Sequence, residues 1–150
     1  MADPIRERVV QDLVTAIRGV RKASGYEIDI GAVDRARRTK HQQHELPAVN
    51  VWEVKEKKES GPAGLVTCYL SLVLEITVLD LRTQATLCNQ AMGAVVKAVL
   101  ADRTRGGLAV DTEEGGNETF TGETNDPTGG VRVGIEIEYR HKEDDPYAEP

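Results

Sequence analysis

The chain reads as an α+β domain: a mostly antiparallel sheet with one very long strand, and two helices packed on one of its faces. Three observations predict this. Val66 to Val78 is apolar at every even position (Val66, Cys68, Leu70, Leu72, Leu74, Ile76, Val78), the period-two signature of a strand buried on one face. Val131, Val133, Ile135, Ile137 and Tyr139 repeat that alternation near the end of the chain. Two other stretches, Ile5 to Val20 and Leu87 to Val99, space their apolar residues at three and four, as an amphipathic helix does.

In chain order, Asp3-Pro4 opens the first helix, with Asp as cap and Pro at the first helical position. Arg18, Arg21 and Lys22 suit the dipole of its last turn, and Gly25 ends it. Tyr26 to Val33 alternates and predicts a strand. Asp34 to His44 is basic, has no apolar period and reads as an exposed loop. Ala48 to Val54 is the next strand, and Pro47 at its mouth suits a first or edge position. Lys55 to Gly64 reads as a charged turn with Gly61-Pro62.

The long strand, Val66 to Leu79, would span about 46 Å, which outruns the core of a small domain. Its odd face carries Tyr69, Val73 and Leu79, more apolar surface than a solvated face needs. Asp80 to Ala85 connects it to the second helix, with Thr86 as cap and many small residues. Leu108 to Val110 and Asn117 to Gly122 predict short strands within an otherwise polar, acidic loop from Asp111 to Gly130. The domain covers residues 1–142, and 143–150 form an acidic tail that cannot fold alone.

Charge and composition narrow the function. The net charge of −6 argues against a general DNA coat. Residues 1–58 carry 12 Lys/Arg against 9 Asp/Glu, whereas the remainder carries 7 against 16. A basic and an acidic half suit head-to-tail contact between copies. Cys68 and Cys88, the two cysteines, read as buried free thiols. No signal peptide or apolar membrane segment is visible, so a soluble protein made in the cytoplasm is expected.

Motifs for chemistry are sparse. His41 and His44 stand at i and i+3 and have only Glu45 as a nearby acid, an incomplete metal set. Asp111 to Glu118 resembles a calcium loop, yet lacks its central glycine and closing acid. No phosphate-binding glycine spacing or nucleophile turn occurs, and no catalytic residue, metal or cofactor is assigned. Arg35, Arg37, Arg38 and Lys40 form a basic stretch without interleaved aromatics. It would meet an acidic face of a neighbouring subunit, such as Glu136 and Glu138, or else phosphate.

The ordered layout resembles the tail terminator (tail completion, or minor tail) proteins of long-tailed bacteriophages. The resemblance covers nearly the whole chain. It rests on the N-terminal amphipathic helix running into Gly25-Tyr26, the basic stretch, and Glu45-Leu46-Pro47-Ala48-Val49-Asn50-Val51 leading into a strand. The long strand with its Ala-rich helix, Gly106-Gly107-Leu108, and Tyr139-Arg140 before Asp144-Asp145-Pro146-Tyr147 complete it. It implies an α/β fold and a homo-oligomeric ring, typically a hexamer, that caps the tail tube, stops its polymerisation and provides the surface for head–tail joining.

The implied partners are further copies of the chain, the tube protein, a head-side connector or neck protein, and the sheath protein where the tail contracts. No membrane is implied, and DNA contact in the lumen would be nonspecific. The implied location is the head-proximal end of the virion tail, after assembly in the host cytoplasm. The family supplies no catalytic residues. Interface candidates are therefore physical choices: Arg35, Arg37, Arg38, Lys40, Tyr69, Val73, Glu136, Glu138 and Tyr147. Competing readings are another head–tail connector (neck or stopper), a small metal-dependent enzyme using His41 and His44, and a basic-loop nucleic-acid binder.

Overall fold

Apolar alternation at Val66–Val78 and Val131–Tyr139 lays two long strands side by side, each with one face to bury. In a computed structural model describing residues 2–79, 83–121 and 128–150, they are the centre of a five-stranded sheet. The strands are β1 (Ala32–Arg35), β2 (Ala48–Ser60), β3 (Leu65–Leu79), β4 (Ala109–Thr121) and β5 (Thr128–Lys142). Their order is β1-β2-β3-β5-β4; β1 lies parallel to β2 and every other pairing is antiparallel. Helices α1 (Ile5–Arg18) and α2 (Gln84–Ala101) form one layer: α2 packs on β3, β5 and β4, and α1 lies beside α2 and β1. The α+β class holds.

The core lies between that layer and the sheet. Every even residue of β3 from Val66 to Val78 is buried, against Val131, Val133, Ile135, Ile137 and Tyr139 of β5. This corrects one expectation: β3 does not outrun the core, which covers its even face from end to end. Cys68 and Cys88 are both free and buried, and burial pushes both thiols above their ordinary range.

Several polar groups inside the layer pair with one another, although Nε and Nη1 of the buried Arg105 have no hydrogen-bond partner among the described residues. Tyr139 Oη donates to Glu56 at 2.6 Å, and Lys58 Nζ lies 3.1 Å from His141 Nε2. At the carboxyl end of α2, the fully buried Arg105 donates to the carbonyls of Val99 and Asp102, where a cation suits the helix dipole.

Several element boundaries differ from the sequence expectation. Helix α1 stops at Arg18, and a separate 3-10 turn, Lys22–Ser24, ends on Gly25 in the left-handed region. Arg21 and Lys22 are therefore outside its last turn. Pro4 occupies the cap position, and Asp3 instead accepts from Gln11. Strand β1 begins at Ala32 rather than Tyr26. Ile28 and Ile30 are buried as the alternation requires, but Ile30 N–H donates to Val20 and Gly31 N–H to Pro47 rather than to a ladder.

The largest corrections concern charged segments. Lys55–Ser60 is no turn: it continues β2, paired with Ser71 through Val66 of β3 after an irregularity between Glu53 and Lys55. Asp111–Thr121 is no loop: with Ala109 and Val110 it forms the single strand β4 along β5. The expected loop and strand also include residues 122–127, outside the described residues, as are Asp80 to Arg82 of the expected connection. Helix α2 starts at Gln84 behind Thr83, not behind Thr86. Strand β5 extends through His141 to Lys142. Beyond it the acidic tail is held: Glu143 N–H donates to Gly64, Lys142 N–H to Ala148, and Ile5 N–H to Pro146.

Candidate assembly surface

With both helices on one side, the opposite face of β2–β5 is open. Register sets it out in rows across β2, β3, β5 and β4. One row is Asn50, Glu75, Arg132 and Glu118; another is Trp52, Val73 and Gly134. Further along come Lys55, Ser71, Glu136 and Glu113, then Lys57, Tyr69, Glu138 and Asp111. The odd side chains of β3 on this face are all half-buried by their neighbours. Arg132 bonds Glu75 at 3.0 Å and stands 4.3 Å over the Phe120 ring. The chain's single tryptophan and single phenylalanine both belong to this face.

At the end of the sheet where β2 begins, the segment after β1 folds over the open face. Asn50, buried on β2, clamps it: its Oδ1 accepts from Arg37 N–H at 3.0 Å and its Nδ2 donates to Arg37 C=O at 2.7 Å. Arg37 in turn reaches Asp34 at 3.2 Å and Glu45 at 3.0 Å. His41 Nε2 lies 2.8 Å from Asp34 Oδ2. Burial pushes the Asp34 carboxyl up, but hydrogen bonding to His41 and Arg37 outweighs it and holds the group below its ordinary range. The base of the segment is close-packed: a Cβ at Gly31 would sit 2.2 Å from the Glu45 carbonyl oxygen. The stretch after β1 is exposed at Arg38 to Lys40 and Gln42 to His44, as expected, but it is an anchored flap rather than a free loop. Its first two residues, Asp34 and Arg35, belong to β1. Between flap and sheet lies a cleft of about 620 Å³, walled by Trp52, Phe120, Glu75 and Thr77 and rimmed by Arg38 and Lys40.

The candidate residues divide among several places. Tyr69, Val73, Glu136 and Glu138 come together on the open face. Arg38 and Lys40 rim the cleft at one end, and Tyr147, half exposed, sits in the tail at the opposite end. Arg37 is the flap's internal anchor. Arg35 points to the helical side, bridging Glu7 of α1 at 2.5 Å and Glu53 of β2 at 2.8 Å. His41 is enclosed against Asp34, and His44 is exposed in a short 3-10 turn. Among the described residues, no group of three His, Cys, Asp or Glu is placed to hold a metal ion, and no helix is long and apolar enough to cross a membrane. The calcium-loop-like run Asp111 to Glu118 is extended strand.

Trp52, Asn50, Phe120, Lys55, Lys57 and Glu113 were not singled out from the sequence. A signal existed for Trp52: Val49 and Val51 alternate inward, which turns Trp52 outward. Lys55 and Glu113 gave none, because each sits in a charged run. No protein-family model matches the chain, and no curated protein matches it.

The Arg35 bridge makes a prediction. Hydrogen bonding from Arg35 holds the Glu7 carboxyl below its ordinary value of 4.5. A depressed carboxyl stabilises the fold above that value, and the contribution is lost as pH falls through the lowered one. Arg35→Ala should cost about 1–2 kcal/mol at pH 7, since the geometry is multidentate but a third of each side chain is exposed. Urea midpoints measured from pH 6 to pH 3 should fall less steeply for the variant than for the parent. Parallel curves would show that the bridge contributes nothing to acid sensitivity.

Proposed function

We propose that the chain is a ring-forming assembly protein of the tail terminator kind. Copies close head to tail, cap the end of a phage tail tube, stop its polymerisation and offer the surface on which the head is joined. The ring has six copies and sits at the head-proximal end of the tail after assembly in the host cytoplasm. Its partners are the tube protein and a head-side connector. The role is structural and needs no catalytic step.

The observation that supports this most is the one-sided sheet. Four strands of 13–15 residues carry helices on one face only, and the other holds Tyr69 and Val73 beyond the flap, with Trp52 and Phe120 in the cleft at its edge. Aromatic and aliphatic side chains of this kind, set among charges on an uncovered face, suit contact with another protein. The resemblance in element order points the same way.

The test is tube capping. Added to elongating tail tubes, the protein should halt growth and remain at one tube end; unaffected elongation, with no bound protein, would contradict the proposal. Tyr69→Asp should weaken assembly while leaving the melting temperature within about 2 °C of the parent, because the side chain lies on the open face. An unchanged oligomer would remove Tyr69 from the interface.

A further inference from the structure

The two edges of the sheet are unequal and complementary. Strand β1 pairs with β2 only from Ala48 to Val51, so Trp52 to Ser60 has no strand on its outer side among the described residues. At the far side, β4 is likewise an unpaired edge. An edge strand exposes a row of N–H and C=O groups that another strand can complete. The free part of β2 carries Lys55, Lys57 and Lys58 among three glutamates. Glu53 is taken by Arg35, Glu56 is drawn inward to Tyr139 and Lys58, and Glu59 lies 3.3 Å from Lys57. That leaves Lys55 as the cation with no ion pair seen among the described residues. Strand β4 carries Asp111, Glu113, Glu114 and Glu118 and has no lysine or arginine.

On the open face, the β4 side holds like charges directly opposite one another: Glu113 faces Glu136, and Asp111 faces Glu138. Such pairs are unfavourable across a ladder. Arg103, bonded to Asp111 at 2.7 Å, offsets one of them, whereas no ion pair is seen for Glu113 or Glu136 among the described residues. The same two rows end at Lys55 and Lys57 on the β2 side.

We infer that the free edge of β2 in one copy, Trp52 to Ser60, pairs with the first part of β4, Ala109 to Glu114, of the next, joining the sheets around the ring. Past the irregularity after Glu114 the neighbour's strand turns aside, because β1 holds Ala48 to Val51. This rests on the ring proposed above and names its joint. Strand direction permits it: β2 and β4 run oppositely within the sheet, so a neighbour in the same orientation meets antiparallel. When rows continue level across the joint, Lys55 lands beside the neighbour's Glu113, and Lys57, already 3.3 Å from Glu59, beside its Asp111, which Arg103 already holds. The uncompensated pair, Glu113 with Glu136, then gains a cation in Lys55. The interface is heterologous, using two different patches, as a closed ring requires. Pairing β4 with β4 would oppose acids, and pairing β2 with β2 would leave the acidic rows of β4 without a cation, so charge favours the mixed joint.

The test is charge exchange read by light scattering across a dilution series, with circular dichroism confirming the fold. Lys55→Glu and Glu113→Lys, each alone, should raise the concentration at which the oligomer dissociates by about tenfold. The double variant Lys55→Glu/Glu113→Lys should return it to within about threefold of the parent. A second measurement does not depend on charge. Lys55→Cys/Glu113→Cys, oxidised, should give a ladder of cross-linked copies, with the native cysteines buried and silent. A parent ring that neither single exchange weakens, with no cross-linked ladder, overturns the edge joint and leaves the ring standing. A parent that stays monomeric overturns the ring and the joint together.

Discussion

Leu74→Ala is expected to lower the unfolding free energy by about 2–5 kcal/mol, the largest loss of any change considered. Leu74 is fully buried at the middle of β3. Val51 flanks it on β2 and Val133 on β5, both buried, with the helical layer above. Paired backbone on both sides of β3 leaves the strands little freedom to move inward, so a cavity should persist rather than collapse. With about 2–4 °C per kcal/mol for a chain of this length, the melting temperature should fall by roughly 5–15 °C. The check is a thermal melt at fixed pH; a fall below about 2 °C would mean that the core repacks freely around β3.

Asn50→Ala is expected to cost about 1–3 kcal/mol and to free the flap. The Asn50 amide completes both main-chain groups of Arg37, as a neighbouring strand would. Alanine leaves them without a partner beneath the flap, and the Arg37 links to Asp34 and Glu45 lose their foothold. Trp52, the single tryptophan, lines the same cleft and reports on the change. Its emission should shift to the red as the cleft opens to water. Unaltered emission and stability would show that Asn50 does not hold the flap.

These two residues also mark what was legible in the sequence. Leu74 lies in a strict period-two run, and strands such as β3 and β5 declare themselves because one whole face must be apolar. The continuation of β2 through Lys55–Ser60 and the strand β4 declare nothing. They are edge strands with charges on both sides, held extended by pairing with β3 and β5 rather than by their own pattern. Around Ile28 and Ile30 the opposite happens: alternation reports burial, while the backbone bonds of that stretch go to Val20 and Pro47.

The site was legible only in part. Tyr69 and Val73 follow from alternation alone, since whatever is odd in β3 faces away from the core. Arg35 and Arg37 read as free cations because the acids that pair with them, Glu7 and Glu45, lie 28 and 8 residues away and meet them only in the fold. The complementarity of the two edges was also invisible. It depends on the order β1-β2-β3-β5-β4, which places lysines of β2 and acids of β4 at opposite ends of the same rows.

Light scattering on the purified parent protein at neutral pH and moderate salt tests the central claim most directly. The ring predicts a discrete particle of six times the 16.4 kDa chain mass, unchanged over a tenfold range of concentration. A mass equal to one chain throughout that range would contradict it.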